Sequence, residues 1–397
     1  MAKNTLLHTP EGMRDIYGDE MEKKRITEER LLSLLHRYGF RDIATPTFEF
    51  IELFSKELSA TSSRELYKFF DTDNRTLSLR PDFTPGIARA AVKYFEGSFP
   101  VRLCYLGNTF LNTHSLQGRL NEVTELGAEF MGEPSVEADA EMIALSSSLL
   151  QEAGLEDFEI CIGHEGFFKG LCEEAGADPE SAGALKEHLL DKNYFGLSDL
   201  LTGLNLPEGL RKVFDSFPEF IGGREILEHP LLSGVPDRSL KALKRLKDLC
   251  ECLSLYGIEK KVSFDLGMLS AHNYYTGVLF RAFTFGTGEP IVRGGRYDDL
   301  LKKFGKDRAA IGFTLVIDQL LETLRHLKKD IPIPDDGTLI VSDREHFPEA
   351  LTAAEKIRRE NGRAELLCRT GSVPDKALCE AYARSTHAGK ILYFFKD

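Results

Sequence analysis

Apolar residues recur at helical spacing in some segments of the chain and at every second position in others. Leucines at helical spacing predict an amphipathic helix over residues 20–38, with Gly39 as its C-terminal stop. A second apolar stripe predicts a helix through residues 138–149. Val278 and Phe280 belong to a period-two alternation, which predicts a strand with one buried face. The pattern therefore predicts an α+β protein.

Glycines interrupt the strand-like stretch near its end. Ile291 and Val292 resume the apolar pattern, and the sequence RGGRYD of residues 293–298 then predicts a tight glycine turn that leads into a helix. Together with the paired tyrosines Tyr274 and Tyr275, this turn indicates a small polar pocket on a sheet. The alternative is an ordinary hairpin whose glycines merely permit positive φ.

Two features near the N-terminus predict further strands. Residues 66–79 resemble a hairpin with its turn at residues 71–74. Pro46 lies in an extended segment, and because proline cannot donate to a ladder, this segment is expected to be an edge or interface strand.

Changes of pattern divide the chain into domains. Residues 1–165 and 257–328 are expected to form one core. Residues 166–256, called the insertion below, are irregular and helical, and are expected to be a helical insertion rather than a continuation of the sheet. A Pro-rich linker precedes residues 337–397, whose β-α-β-α-β order predicts a small parallel sheet.

Composition limits the class of protein. The chain has 397 residues and a formal net charge of −13, which weighs against a main role in gripping a phosphate backbone. Seven cysteines without paired spacing indicate a reducing compartment, and neither a secretory signal nor a membrane-spanning apolar run is evident. A cytoplasmic protein is expected. The cysteine and histidine spacing predicts no metal site, and nothing predicts a cofactor.

Four stretches stand in a fixed order along the chain: TPEGMRDIYGDE (9–20), LYKFFDTDNRTLSLRPDFTPGIAR (66–89), CYLGNTFLNTHSLQGRLNEVTELGAEFMG (104–132), and the segment 274–300 with its YYTG and RGGRYDDL motifs. In this order and spacing they resemble the catalytic core of class II histidyl-tRNA synthetases. The resemblance implies an antiparallel class II sheet with flanking helices and a helical insertion. It also implies a C-terminal α/β domain similar to a truncated anticodon-binding domain.

Three positions depart from the synthetase pattern. The resemblance implies arginines that neutralise the reacting carboxylate and phosphate at Leu111, Ser270 and Gln319, and none of these residues is a cation. Losing one preorganised stabiliser of developing charge costs about 10²–10³ in rate. The chain is therefore expected to have no catalytic residues and no adenylating activity.

The amino-acid side of the implied pocket is retained. The resemblance implies that Asp82 and Thr84 hold the α-amino group of histidine, and that Glu129 reads the imidazole together with a tyrosine pair. A glutamate stands where the synthetases have glutamine. The predicted histidine-binding residues are Asp82, Thr84, Glu125, Glu129, Tyr274 and Tyr275. The alternative is that they are inherited lining residues without a present ligand.

A synthetase-like chain without these arginines also resembles the regulatory subunits of ATP phosphoribosyltransferase. This resemblance implies a non-catalytic subunit that activates a short catalytic subunit in the first step of histidine biosynthesis and carries feedback by L-histidine. It implies a homodimer alone and a hetero-octamer with the catalytic subunit, without tRNA binding. Two alternatives stay open: an active histidyl-tRNA synthetase, and an RNA-binding sensor built on an inactive synthetase core.

Overall fold

The computed structural model describes most of the chain: residues 7–54, 61–95, 97, 100–113, 120–204, 206–271, 274–286, 288–368 and 376–395. It comprises two compact units. The larger contains Met1–Ile16 and Thr27–Asp330, and the smaller contains Tyr17–Ile26 and Ile331–Asp397. Among the described residues, no helix has both the length and the apolar character needed to cross a bilayer.

Helices and strands alternate irregularly along the described chain. The α-helices are α1 (Gly18–Arg37), α2 (Thr84–Tyr94), α3 (Val136–Glu152), α4 (Glu165–Glu174), α5 (Pro179–Leu190), α6 (Tyr194–Thr202), α7 (Glu208–Asp215), α8 (Asp237–Leu255), α9 (Ile317–His326), α10 (Phe347–Arg359) and α11 (Lys376–Ser385). The strands are β1 (Arg41–Asp42), β2 (Phe48–Phe50), β3 (Lys68–Phe70), β4 (Thr76–Leu79), β5 (Val101–Phe110), β6 (Glu122–Met131), β7 (Glu159–His164), β8 (Ile221–Gly222), β9 (Val262–Asp265), β10 (Val278–Phe283), β11 (Val292–Arg296), β12 (Ala310–Val316), β13 (Thr338–Ser342), β14 (Ala364–Cys368) and β15 (Lys390–Phe394).

A nine-stranded sheet forms the centre of the larger unit, in the order β1-β5-β6-β12-β11-β10-β7-β9-β8. Its pairs are antiparallel except β1 with β5 and β7 with β9. The longest pair joins β5 to β6 over the full length of both strands. Helix α2 begins at Thr84 and packs a fully buried Ile87 into the core beside this sheet.

The predicted glycine turn at residues 293–298 is wrong. Gly294 and Gly295 lie inside β11, a central strand, and are paired on both sides. A Cβ on Gly294 would stand 2.3 Å from a ring atom of Phe280. These glycines are therefore needed for close packing against neighbours in the sheet, and not for a positive φ. A turn does follow, but it leads into a short 3₁₀ helix, Leu301–Phe304.

The insertion is mostly helical, as predicted, but it also adds a strand to the sheet. β8 pairs with β9, with Ile221 opposite Asp265. The expectation that this segment stays outside the sheet is therefore wrong at these two residues. A further backbone hydrogen bond joins this part of the insertion to the end of β9, since the Leu266 amide donates to the Phe220 carbonyl at 3.1 Å, and Phe220 itself is fully buried.

The predicted N-terminal elements are found with adjusted bounds. β3 and β4 form the predicted hairpin, and Asn74 takes the positive φ of its turn. The extended segment around Pro46 is only partly a strand, because Pro46 lies between β1 and β2. β1 is the edge strand of the nine-stranded sheet, and β2 is an edge strand of the small β2-β4-β3 sheet.

The smaller unit has the predicted β-α-β-α-β order. β13 is its central strand and pairs in parallel with β14 and β15. All five residues of β13 are buried, since α10 and α11 pack against this sheet. Asp375, between the second strand and the last helix of this order, and residues 117–119, within the third of the four motif stretches, lie outside the described residues.

Candidate functional site

One face of the large sheet carries a polar cavity of about 530 Å³, called the polar cavity below. Its floor follows from strand register, because residues directly opposite each other in antiparallel strands share a face. Two rows cross β6, β12, β11 and β10 in that order. The first row is Glu129, Gly312, Gly295 and Leu279, and the second is Gly127, Thr314, Arg293 and Arg281.

Glycines keep this floor low enough for larger side chains to lie over it. A Cβ on Gly312 would stand 1.7 Å from Oε2 of Glu129. A Cβ on Gly295 would stand 2.9 Å from the ring of Tyr275. Neither glycine has a positive φ, so the absence of a side chain is what these positions require. The glycines of two strands therefore position an acid and a phenol supplied by other elements.

Glu129 is the most deeply buried acid of the polar cavity, at 1% exposure. Its carboxylate accepts hydrogen bonds from Thr84 Oγ1 at 2.7 Å and from the hydroxyl of Tyr297. Burial raises the pKa of Glu129 to about 8, although these two hydrogen bonds oppose the shift. The side chain therefore holds a proton in the folded chain at neutral pH.

Asp82 lies beside this acid at the start of α2. Its Oδ1 accepts from the Thr84 backbone amide at 2.9 Å, and its Oδ2 accepts from the Tyr274 hydroxyl at 3.2 Å. The rings of Tyr274 and Tyr275 stand 4.7 Å apart. Burial, followed by the charge of Asp82, raises the pKa of both phenols, so they act as hydrogen-bond donors.

Glu125 also lines the polar cavity, two positions along β6 from Gly127. Burial, and then the charge of Asp82, raises its pKa to about 8, while the charges of Arg293 and Arg80 oppose the shift. All six predicted histidine-binding residues thus border one cavity. Glu125 and Glu129 are therefore protonated near neutral pH. A charged ligand group beside them changes their pKa and hence their charge.

The three positions of the missing arginines lie in different surroundings. Leu111 and Ser270 line the polar cavity. The Ser270 backbone amide donates to the buried Glu165 at 2.8 Å. Gln319 is not part of the lining; its Nε2 donates to the Glu289 carbonyl at 2.6 Å, at the cavity's border.

Two arginines that line the polar cavity do not follow from the sequence motifs. Arg281 and Arg293 border the side of the cavity formed by β10 and β11. Arg281 Nη2 donates to the Leu269 carbonyl at 2.6 Å, and Arg293 Nη2 lies 3.0 Å from Glu289. Period-two alternation from the buried Phe280 places residue 281 on the opposite face. The alternation in the sequence therefore indicates the face on which Arg281 lies. Only the register between β10 and β11 shows that Arg281 and Arg293 are neighbours.

Among the described residues, one set of side chains has the donor types of a metal site. His36, Asp42 and Cys104 bring their ligand atoms within 4.8 Å of one another. Burial raises the pKa of the Cys104 thiol to about 12. The set shares no residue with the polar cavity.

The family model described as histidyl-tRNA synthetase matches residues 12–320. An ATP phosphoribosyltransferase regulatory subunit of Ruminiclostridium cellulolyticum is 36% identical over 388 residues, 98% of this chain and 92% of the relative. One from Acetivibrio thermocellus is 35% identical over 392 residues, covering 98% and 93%.

A solved structure agrees with these relatives. The crystal structure of an ATP phosphoribosyltransferase regulatory subunit/histidyl-tRNA synthetase from Bacillus halodurans has a TM-score of 0.87 and 30% identity, covering both chains fully. The chain therefore belongs to the histidyl-tRNA synthetase-like family of ATP phosphoribosyltransferase regulatory subunits. The predicted class II synthetase-like fold is confirmed, and so is the predicted regulatory, non-catalytic role.

Proposed function

We propose that this chain binds L-histidine in the polar cavity and thereby controls a short catalytic subunit of ATP phosphoribosyltransferase in the first step of histidine biosynthesis. The observation that carries the proposal is the buried acid cluster around Glu129. Thr84 and Tyr297 hold its carboxyl group, and Asp82 accepts from Tyr274 beside it. A ligand with hydrogen-bond donors stabilises buried acids of this kind, because burial of a polar group is costly unless it is hydrogen-bonded.

The ligand's two nitrogen-bearing ends fit different parts of the cluster. Asp82, two residues before α2, and Thr84, the first residue of α2, suit the α-ammonium group. Glu129 and Tyr275 suit the two nitrogens of the imidazole, because one group can accept while the other donates. Glu125 adds a third carboxyl group on the same floor.

Binding in this cavity is separate from adenylation. Adenylation needs cations beside an attacking carboxylate and an α-phosphate, and Leu111 and Ser270 present none at the cavity wall. Gln319 uses its amide on the Glu289 carbonyl. The three positions that carry the cations of adenylation in the synthetase pattern are therefore uncharged, which favours an effector site over an ATP-dependent reaction.

The assembly is proposed by analogy with the family. The isolated chain is a homodimer in the cytoplasm, and a hetero-octamer forms only with the catalytic subunit. The chain does not bind tRNA, which agrees with its net charge of −13. Light scattering of the chain alone and after mixing tests the assembly: a monomeric isolated chain contradicts it.

Thermal unfolding with L-histidine tests the effector site. A ligand specific to the folded state must raise the unfolding temperature. Glu129→Ala should abolish this shift, because a ligand donor loses its acceptor in a buried slot, worth about 1–3 kcal/mol. Glu159→Ala is the matched control, since Glu159 is an exposed acid on β7 of the same sheet.

Two further measurements separate the competing functions. Histidine should lower the rate of the reconstituted complex with the catalytic subunit, and the Glu129→Ala complex should resist it. Histidine-dependent pyrophosphate exchange with ATP should be absent. Its appearance would identify an active synthetase, and tight binding of tRNA at physiological salt would favour an RNA-binding sensor.

A further inference from the structure

Two arginines lie side by side on the floor of the polar cavity. Arg281 of β10 and Arg293 of β11 are Cα partners in the antiparallel pair, and both line the cavity. Like charges directly opposite each other destabilise a sheet. Glu289 pairs with Arg293, whereas Arg281 contacts a backbone carbonyl. The pair therefore carries more positive charge than its contacts among the described residues neutralise.

The acids and the arginines occupy opposite sides of the same floor. Glu125 and Glu129 project from β6, and β12 separates that strand from β11. Neighbouring strands lie about 4.8 Å apart, so roughly 10 Å of backbone separates β6 from β11. Long side chains on both strands narrow this gap, and the charge of Arg293 acts on the pKa of Glu125. The floor thus has an acidic side and a basic side within reach of one small molecule.

Arg281 also stands beside a position that lost a cation. Its guanidinium donates to the Leu269 carbonyl, whose carbon is bonded to the nitrogen of Ser270. The sequence places a serine where the synthetase pattern has the arginine specific to histidine. A positive charge therefore reaches the same wall of the cavity from β10 instead of from the loop.

We propose that Arg281 and Arg293 together receive the α-carboxylate of the amino acid bound in the polar cavity. The inference rests on the proposed function, in that the cavity holds an amino-acid effector, and it adds which chemical group the basic side recognises. Guanidinium groups hold carboxylates through paired, charge-assisted hydrogen bonds. The cavity consequently selects a free amino acid, with both termini charged, over its alcohol, its amide or its decarboxylated amine.

Calorimetric titration of the whole chain with L-histidine, L-histidinol and histamine tests this selection without any substitution. These ligands share the imidazole and the amine, and only histidine has the carboxylate. Histidine should bind at least about tenfold more tightly than the other two, since a hydrogen bond to a charged group is worth about that factor or more. Equal affinities would overturn the proposal.

Arg293→Met tests the contribution of one of these arginines to carboxylate binding. The Arg293 side chain is half exposed and methionine retains most of its apolar stem, so this substitution disturbs the fold little. The variant should lose about tenfold in affinity for histidine and keep the parent's affinity for histidinol. Arg325→Met is the matched control, since Arg325 is an exposed arginine paired with Glu322 on α9. An equal loss for both ligands would indicate a structural role and refute carboxylate recognition.

A screen of the other L-amino acids with their amides separates failure of this inference from failure of the proposed function. If histidine does not bind but another amino acid does, and Arg293→Met weakens only the form with a free carboxylate, the histidine proposal fails and the carboxylate receptor stands. If no amino acid binds the parent, both proposals fail. If histidine binds as tightly as its amide, only the carboxylate receptor fails.

Discussion

Replacing Glu129 with glutamine should change how the stability of the chain depends on pH. Glu129 has a pKa of about 8 in the folded chain, against an ordinary value of 4.5. Between these values the folded chain holds a proton that the unfolded chain has released. The free energy of unfolding must therefore fall as pH rises through this window, and the loss is complete above about pH 8. Glutamine keeps the shape of the side chain and cannot ionise.

The size of the effect follows from proton linkage. One proton bound only by the folded state changes the free energy of unfolding by about 1.4 kcal/mol per pH unit. From about pH 5.5 to about pH 7.5 the parent should therefore lose about 2–3 kcal/mol relative to Glu129→Gln. The hydroxyls of Thr84 and Tyr297 can each donate or accept, so the amide can be accommodated between them.

Urea denaturation of the parent and the variant at both pH values measures this difference, read from the transition of the larger unit. Glu159→Gln is the control, because Glu159 is an exposed acid of β7 in the same sheet and its replacement makes the same change in net charge. The control should show a pH dependence like that of the parent. If Glu129→Gln also changes with pH as the parent does, Glu129 is ionised in the folded chain and the electrostatic reasoning is refuted.

Three further outcomes are expected. Asp139→Asn should lower the free energy of unfolding by about 3–5 kcal/mol in urea, because fully buried Asp139 accepts from Arg245 and Arg296 at 2.7 Å each; a loss below about 1 kcal/mol would contradict this. Gly312→Ala should fold but lose the thermal response to histidine, since its Cβ would displace the Glu129 carboxyl group; an unchanged response would show that the glycine floor does not position this acid. The heat of histidine binding should vary with the ionisation enthalpy of the buffer, because a positive ligand group lowers the pKa of Glu129 and releases protons; equal heats in all buffers would contradict proton release.

The acidic side of the cavity could be anticipated from the sequence, whereas strand β11, with its two adjacent glycines, could not. Glu129 and Asp82 stand within motifs whose order resembles that of a known family, so their proximity followed from the resemblance. Two adjacent glycines are locally typical of a turn. Gly294 instead makes room for Phe280, and Gly295 makes room for Tyr275. A requirement set by neighbouring strands has no local signal, so β11 was predicted as a turn.

The arginine pair was missed for a related reason, and it changes what the missing cations mean. Leu111, Ser270 and Gln319 were identified by motif position, which says nothing about charge supplied by a neighbouring strand. Register brings Arg281 and Arg293 together, and it depends on pairing across a hairpin rather than on either residue alone. Adenylation must stabilise charge that develops on a phosphate, whereas effector binding needs only complements to the ligand's existing charges. A cavity with an acidic side and a relocated basic side meets the second requirement, so loss of catalysis and retention of an amino-acid site are compatible in one chain.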